Sequence, residues 1–151
     1  MKNPPLDPWL KRYNNILKES DHFYRKAARR LGVPECALWI LYTLRAEEPP
    51  LTQKRLCQQL LQPKQTINSA LKSLEAEGCL TLSAGEDRRT RVITLTEKGA
   101  DLARRTADRI IQAEQAAFQA MEPEEAEAFL RLFKQYVDHL EAAEPEPETG
   151  A

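Results

Sequence analysis

The chain has 151 residues, 42% of them apolar and 30% charged, with a net charge of −1. That is the composition of one soluble globular domain, long enough to bury a core, and it excludes a uniformly basic or acidic protein. Residues 1–50 hold nine Lys/Arg against six Asp/Glu and residues 51–91 seven against four, but residues 92–151 hold six against thirteen. A basic front therefore precedes an acidic back, and a partner responds to such local fields rather than to the sum.

Asp7-Pro8 starts a first helix, with an N-cap followed by proline at the first helical position. Leu10, Tyr13, Leu17, Tyr24, Ala28 and Leu31 then step at helical spacings, interrupted around Ser20 and Asp21, until Gly32 ends the helix. Pro34 opens a second helix, "ECALWILYTLRAEE", which is apolar on nearly every side and so belongs at the centre of the fold. Pro49-Pro50 stops it. Thr52 caps a short helix carrying Leu56 and Leu60. After a break at 61–63, "KQTINSALKSLEAEG" forms another, striped with Ile67, Leu71 and Leu74 and closed by Gly78. Two short helices joined by so brief a turn predict a helix-turn-helix.

"CLTLS" and "TRVITL" alternate at period two around Ala84-Gly85-Glu86-Asp87, which predicts a β-hairpin. Thr96 caps a long fifth helix through Leu102, Thr106, Ile110, Ala113, Ala117 and Met121. Pro123 opens a sixth with Phe129, Leu130, Phe133, Val137 and Leu140. The remainder, acidic and proline-bearing, predicts a disordered tail over 143–151. A hairpin directly after a helix-turn-helix makes a winged helix. The expected fold is mainly α with a small β-hairpin wing, in a single domain over 1–145. Its winged-helix lobe covers about 34–95, and helices over about 7–32 and 97–142 form a dimerisation region. The apolar stripes of the first and last helices exceed what one small winged helix covers, which predicts that they pack across a two-fold axis.

The helix over 64–77 carries the functional signal. With Ile67, Leu71 and Leu74 buried, its other face presents Lys64, Gln65, Asn68, Ser69 and Lys72, with Thr66 at the edge. Gln and Asn can bridge adenine N6 and N7, Ser and Thr reach several acceptors, and Lys reaches guanine or phosphate. An ordinary solvated face alternates Lys or Arg with Glu, and here Glu75 and Glu77 come only at the end. The hairpin adds Arg88, Arg89 and Arg91 within four positions. Three close arginines repel one another and stabilise no core, but a narrow minor groove attracts them. Asp87 stands two residues before Arg89, placed to hydrogen-bond its guanidinium and hold its direction. Double-stranded DNA is the partner these two elements suggest.

Cys36, Cys57 and Cys79 are too widely spaced for a zinc site or a disulfide framework and read as small buried hydrophobes. His22 and His139 are the only histidines, and the five glycines stand singly at caps, turns or the tail. Neither an enzyme, a metal site nor a cofactor is expected. The lack of a signal peptide or long apolar stretch predicts a cytoplasmic, non-membrane protein.

The stretch "DRRTRVITLTEKG" resembles the wing signature of the MarR (multiple antibiotic resistance) family of bacterial transcription regulators. The family's D-x-R element falls on Asp87 and Arg89, and the L-T that follows on Leu95 and Thr96. The helix order and "LEAEGCL" are also similar, and the resemblance runs from about Leu10 to Leu140. It implies a homodimer whose terminal helices interlock, each winged helix reading half of an inverted repeat, more in keeping with a repressor than an activator. Many relatives release DNA on binding small phenolic or aromatic compounds, and others sense oxidants through a cysteine near the start of the first helix. Here that region reads "KRYNNILKES", without cysteine. Tyr13, His22, Trp39 and Tyr42 lie where the family often builds its effector pocket, although Tyr13, Trp39 and Tyr42 also suit packing and His22 a surface or interface. The competing reading is a winged helix used for protein–protein contact, its basic wing meeting an acidic partner. Such a surface would show exposed aromatic or aliphatic anchors.

Overall fold

The computed structural model describes residues 5–145 and Pro147. The expected tail disorder concerns residues that lie largely outside these. Helix α1 spans Pro8–Leu31 and α2 Glu35–Ala46, followed by strand β1 (Leu51–Thr52), α3 (Gln53–Gln59) and α4 (Lys64–Ala76). Strands β2 (Leu80–Ala84) and β3 (Arg91–Leu95) lead to α5 (Glu97–Arg105), α6 (Ala107–Gln119) and α7 (Pro123–Ala142). The chain forms two compact units, one ending at Ile111 and the other beginning at Gln112. Among the described residues no helix is long and apolar enough to cross a membrane.

Local chemistry sets most boundaries. The Asp7 carboxylate accepts from the Trp9 and Leu10 backbone N–H groups at 2.7 and 3.4 Å, capping α1. Gly32 closes it in the left-handed region at φ 73°, where a glycine carries no Cβ penalty. The helix runs unbroken through Ser20 and Asp21. Thr52 caps α3 through Arg55 N–H at 3.1 Å. Gly78 ends α4 at φ 75°, with its own N–H and that of Cys79 returning to the Glu75 and Leu74 carbonyls.

Helix α2 is the partition of the first unit. Its Ala37 and Ile40 face a cluster with Leu51, Leu56, Ile67, Leu71, Leu74, Leu80 and Ile93, which holds the helix-turn-helix to the sheet. On its other side Leu38 and Leu41 pack with Ala28, Ala103, Ala107 and Ile110. A helix apolar most of the way round is thus buried on two sides, as its sequence predicts. Cys79 is buried in the first cluster, and Cys36 and Cys57 pack half-buried against it. Burial pushes the Cys36 thiol above its ordinary value, which suppresses the reactive thiolate.

The expected hairpin forms and gains a third strand, and the expected fifth helix is corrected. The hairpin is part of a three-stranded antiparallel sheet in the order β1-β3-β2, with Leu51 opposite Ile93 and Leu82 opposite Ile93 on the other side. The expected long fifth helix is two helices, broken at Thr106, whose φ −125° and ψ −82° leave helical geometry. Thr106 is buried, and its hydroxyl donates to the Leu102 carbonyl at 2.7 Å. Such back-bonding competes with the helical ladder and bends it.

A two-pronged pair ties α6 to α2. Arg45 Nε and Nη2 donate to the two Asp108 oxygens at 2.8 and 2.7 Å. The hydrogen bonds from Arg45 hold the Asp108 carboxyl below the usual carboxylate range, outweighing its desolvation. A depressed folded value means that the stabilisation is complete above the unfolded value and disappears as pH falls through the folded one. The Arg45 side chain is 40% exposed, so solvent screening limits the pair to about 1 kcal/mol. Asp108→Ala is expected to lower the urea midpoint at neutral pH, and the gap from wild type should close on acidification below about pH 3–4. A gap that persists in acid would mean that Asp108 acts by packing alone.

Candidate nucleic-acid interface

Helix α4 buries Ile67, Leu71 and Leu74 almost completely. At 100° per residue, this places Gln65, Ser69 and Lys72 opposite the buried stripe, with Thr66 and Ser73 along one edge. All five are exposed, as is Lys64 in the first turn. Asn68 differs. It lies half-buried on the flank towards α3, where its Oδ1 accepts from Gln53 Nε2. The structure therefore divides the expected face into an outward row and one engaged flank residue.

The wing loop joins Ala84 to Arg91, which face each other at the end of the ladder. Gly85 N–H donates to the Thr90 carbonyl at 2.8 Å and Thr90 N–H to the Asp87 carbonyl at 3.0 Å. The Asp87 carboxylate accepts from the Arg89 backbone N–H at 3.2 Å. This corrects the expected grip on the guanidinium: Asp87 shapes the turn through the main chain, as Asp does when its side chain closes an Asx turn. Arg88 and Arg89 stand exposed in the loop. Arg91 is not at the tip but on β3, where it lines the groove between sheet and α4 with Asn68 and Lys72. A second groove runs from the start of α3 past Lys64 and Asn68 to Asp87, Arg89 and Arg91. Helix face and wing thus border one continuous polar surface.

The sequence reading missed Thr52, Gln53 and Lys54 of this second groove. The available signal was position, because Gln53 precedes the buried Leu56 by three residues and shares its side of α3.

A clamp beneath the wing was also missed. The Thr96 hydroxyl donates to the Gly78 carbonyl at 2.5 Å and accepts from Gly99 N–H at 3.1 Å. Thr96 N–H donates to the Cys79 carbonyl at 3.1 Å, and Lys98 Nζ to the Glu77 carbonyl at 2.7 Å. "TEKG" therefore ties the end of α4 to the start of α5. Gly99 is neither cap, turn nor tail but a close approach: a Cβ there would meet the Cys79 carbonyl oxygen at 1.7 Å.

The four expected pocket residues do not form one group. Trp39 and Tyr42 lie in a ladder of rings, Phe23–Tyr24–Trp39–Tyr42, with centroids 5.2, 5.0 and 5.4 Å apart. Phe23 and Tyr24 of the ladder were not among the expected pocket residues. Tyr13 is half-buried about three turns away along α1, and His22 is exposed.

Residues 31–90 match the model of the MarR family. An uncharacterized HTH-type transcriptional regulator of Bacillus subtilis, YwoH, is 28% identical over 98 residues, which cover 65% of this chain and 71% of YwoH. Among solved structures, the MarR family regulator Sco3205 of Streptomyces coelicolor, in complex with DNA, has a TM-score of 0.66. It is 23% identical, and the match covers 99% of this chain and 96% of Sco3205. The PcaV regulator of the same organism, in complex with its natural ligand, has a TM-score of 0.64 at 20% identity, covering 91% and 98%. At these identities the structural likeness establishes the shared fold.

Proposed function

We propose that this chain is a regulator of the MarR family, whose model matches residues 31–90: a sequence-specific double-stranded DNA-binding protein, acting as a homodimeric repressor on an inverted repeat in the cytoplasm. The observation that carries this reading is an exposed Gln65/Ser69/Lys72 row on α4, with Lys72 sharing one groove with Arg91 and Lys64 sharing another with Arg89 and Arg91 of the wing. Gln65 and Ser69 would read base edges in the major groove while Lys64, Thr66, Lys72, Arg88 and Arg91 hold phosphates and Arg89 enters the flanking minor groove. Leu61, 98% exposed in the helix-turn-helix turn, is the lone large apolar side chain that the described winged-helix lobe exposes. One residue does not supply the anchor cluster of a protein-binding module.

Selection from a random DNA pool tests the reading directly. The purified protein should enrich a two-fold symmetric sequence with half-site centres about 34–36 Å apart, one helical turn. Lys72→Ala should weaken all sequences nearly alike and lower the salt slope by about one per site. Enrichment of no sequence, with binding only to acidic proteins, would favour the interaction module.

The wing turn offers a test by sign. Asp87→Ala removes the acceptor for Arg89 N–H and should weaken operator binding severalfold, although it makes the wing more positive. One exposed hydrogen bond is worth about 0.5–1.5 kcal/mol. Asp87→Asn keeps an acceptor while removing the charge, and should bind at least as tightly as wild type. If both variants bind more tightly, the wing acts by charge alone.

A small aromatic effector belongs to the same proposal. The ladder Phe23–Tyr24–Trp39–Tyr42 joins α1 to α2, so a ring inserted there would move the helix on which both clusters of the first unit rest. The PcaV regulator, solved in complex with its natural ligand, supports ligand binding by a chain of this fold.

A further inference from the structure

We infer that Gln53 and Asn68 form a single reading unit, in which Gln53 sets the polarity of the Asn68 carboxamide and makes it a donor towards the major groove; the inference rests on the DNA-binding reading above. Gln53 opens α3, Asn68 lies on the second turn of α4, and the two amides meet through Gln53 Nε2 and Asn68 Oδ1. Both residues are half-buried, so their bond is shielded from competing water more than a surface contact. Both line the two grooves that converge on Arg91, one reaching Lys72 and the other Arg89. The pair therefore sits where helix and wing surfaces join.

An unattached asparagine pairs with adenine through both ends of its amide, accepting from N6 and donating to N7. Asn68 has its oxygen committed to Gln53. The two branches of a carboxamide diverge, so the free end is Nδ2, with two N–H donors. Guanine is the base whose major-groove edge shows two acceptors, N7 and O6. The position that Asn68 governs in each half-site is accordingly guanine, and Gln53 determines that choice without needing to touch the base.

Random-pool selections on the full-length chain, with titrations of the selected operator, test this. Asn68→Ala identifies the governed position as the one whose preference relaxes. That position should be guanine for wild type, and Gln53→Ala should relax the same position, with a loss on the order of tenfold, as Asn68→Ala does. The double variant should be no weaker than the weaker single one. Gln53→Glu can only accept, so Asn68 must turn its NH2 inward and present Oδ1. Preference should then move to adenine or cytosine, which offer N6 or N4 donors. Gln53→Met, of similar size, replaces the alanine variant if thermal melting shows that alanine unfolds α3. An adenine at the governed position in wild type, additive losses, or unchanged selection by the Gln53 variants would overturn the unit and leave DNA binding intact. A wild-type protein that selects no sequence would overturn both.

Discussion

Gly99→Ala is expected to destabilise the first unit by about 3–5 kcal/mol, a large part of the 5–15 kcal/mol that holds a typical domain folded. The added Cβ would stand 1.7 Å from the Cys79 carbonyl oxygen and 2.7 Å from its carbon. Both are backbone atoms, so rotamer changes cannot relieve the overlap, and α5 must retreat from β2. Overpacking alone costs about 1–3 kcal/mol. Retreat would also stretch the bonds from Thr96 to Gly78 and Cys79 and from Lys98 to Glu77, each worth about 1 kcal/mol. The melting temperature should fall by about 10 °C. Thr96→Ala removes the cap and one clamp bond without a clash, and should cost about 1–2 kcal/mol. If Gly99→Ala melts within a degree or two of wild type, the start of α5 is free to shift and the clamp does not fix α4.

The parts legible in the sequence were those fixed by residues close together in the chain. Asp7, Thr52 and Thr96 cap helices from within three residues, and Gly32 and Gly78 end them by their own backbone conformation. The stripe of α4 follows from helical geometry alone. What escaped notice depends on contacts distant in sequence. Strand β1 is two residues long and exists through pairing with Val92 and Ile93. Gly99 matters because Cys79, twenty residues earlier, returns to touch it. The break at Thr106 is the local exception: its hydroxyl bonds the Leu102 carbonyl four residues back, and no helix-breaking residue announces it. Within the site, residue types read off one helix gave the outward row, but the engagement of Asn68 comes from Gln53, fifteen positions upstream. Asp87 was identified with the right partner residue and the wrong atom, since an acceptor two residues before an N–H closes a turn more readily than it reaches a mobile guanidinium.

The largest loss of DNA binding should come from residues that touch no DNA. Helix α7 buries none of its side chains within one chain. Phe129, Leu130, Phe133 and Leu140 stay roughly half exposed, while Phe129 stacks on Phe133 at 6.1 Å and packs near Phe118 at 6.3 Å. Helix α1 likewise exposes Trp9, Leu10, Ile16 and Leu17. Exposed apolar area on this scale marks an interaction surface, and a second copy of the chain offers the same stripes in return, as a two-fold interface requires. Covering the exposed half of each such side chain contributes about 1 kcal/mol, so the two stripes together favour a stable dimer. Leu130→Asp combined with Phe133→Asp would bury charges in that interface, and sedimentation should show a monomer whose first unit remains folded. Operator affinity should then fall by about 100- to 10,000-fold, because the second half-site contact is no longer tethered to the first. Truncation after Met121 should do the same. A full-length protein that sediments as a soluble monomer at micromolar concentration, or a double variant that dissociates yet keeps its operator affinity, would show that each winged helix reads DNA alone.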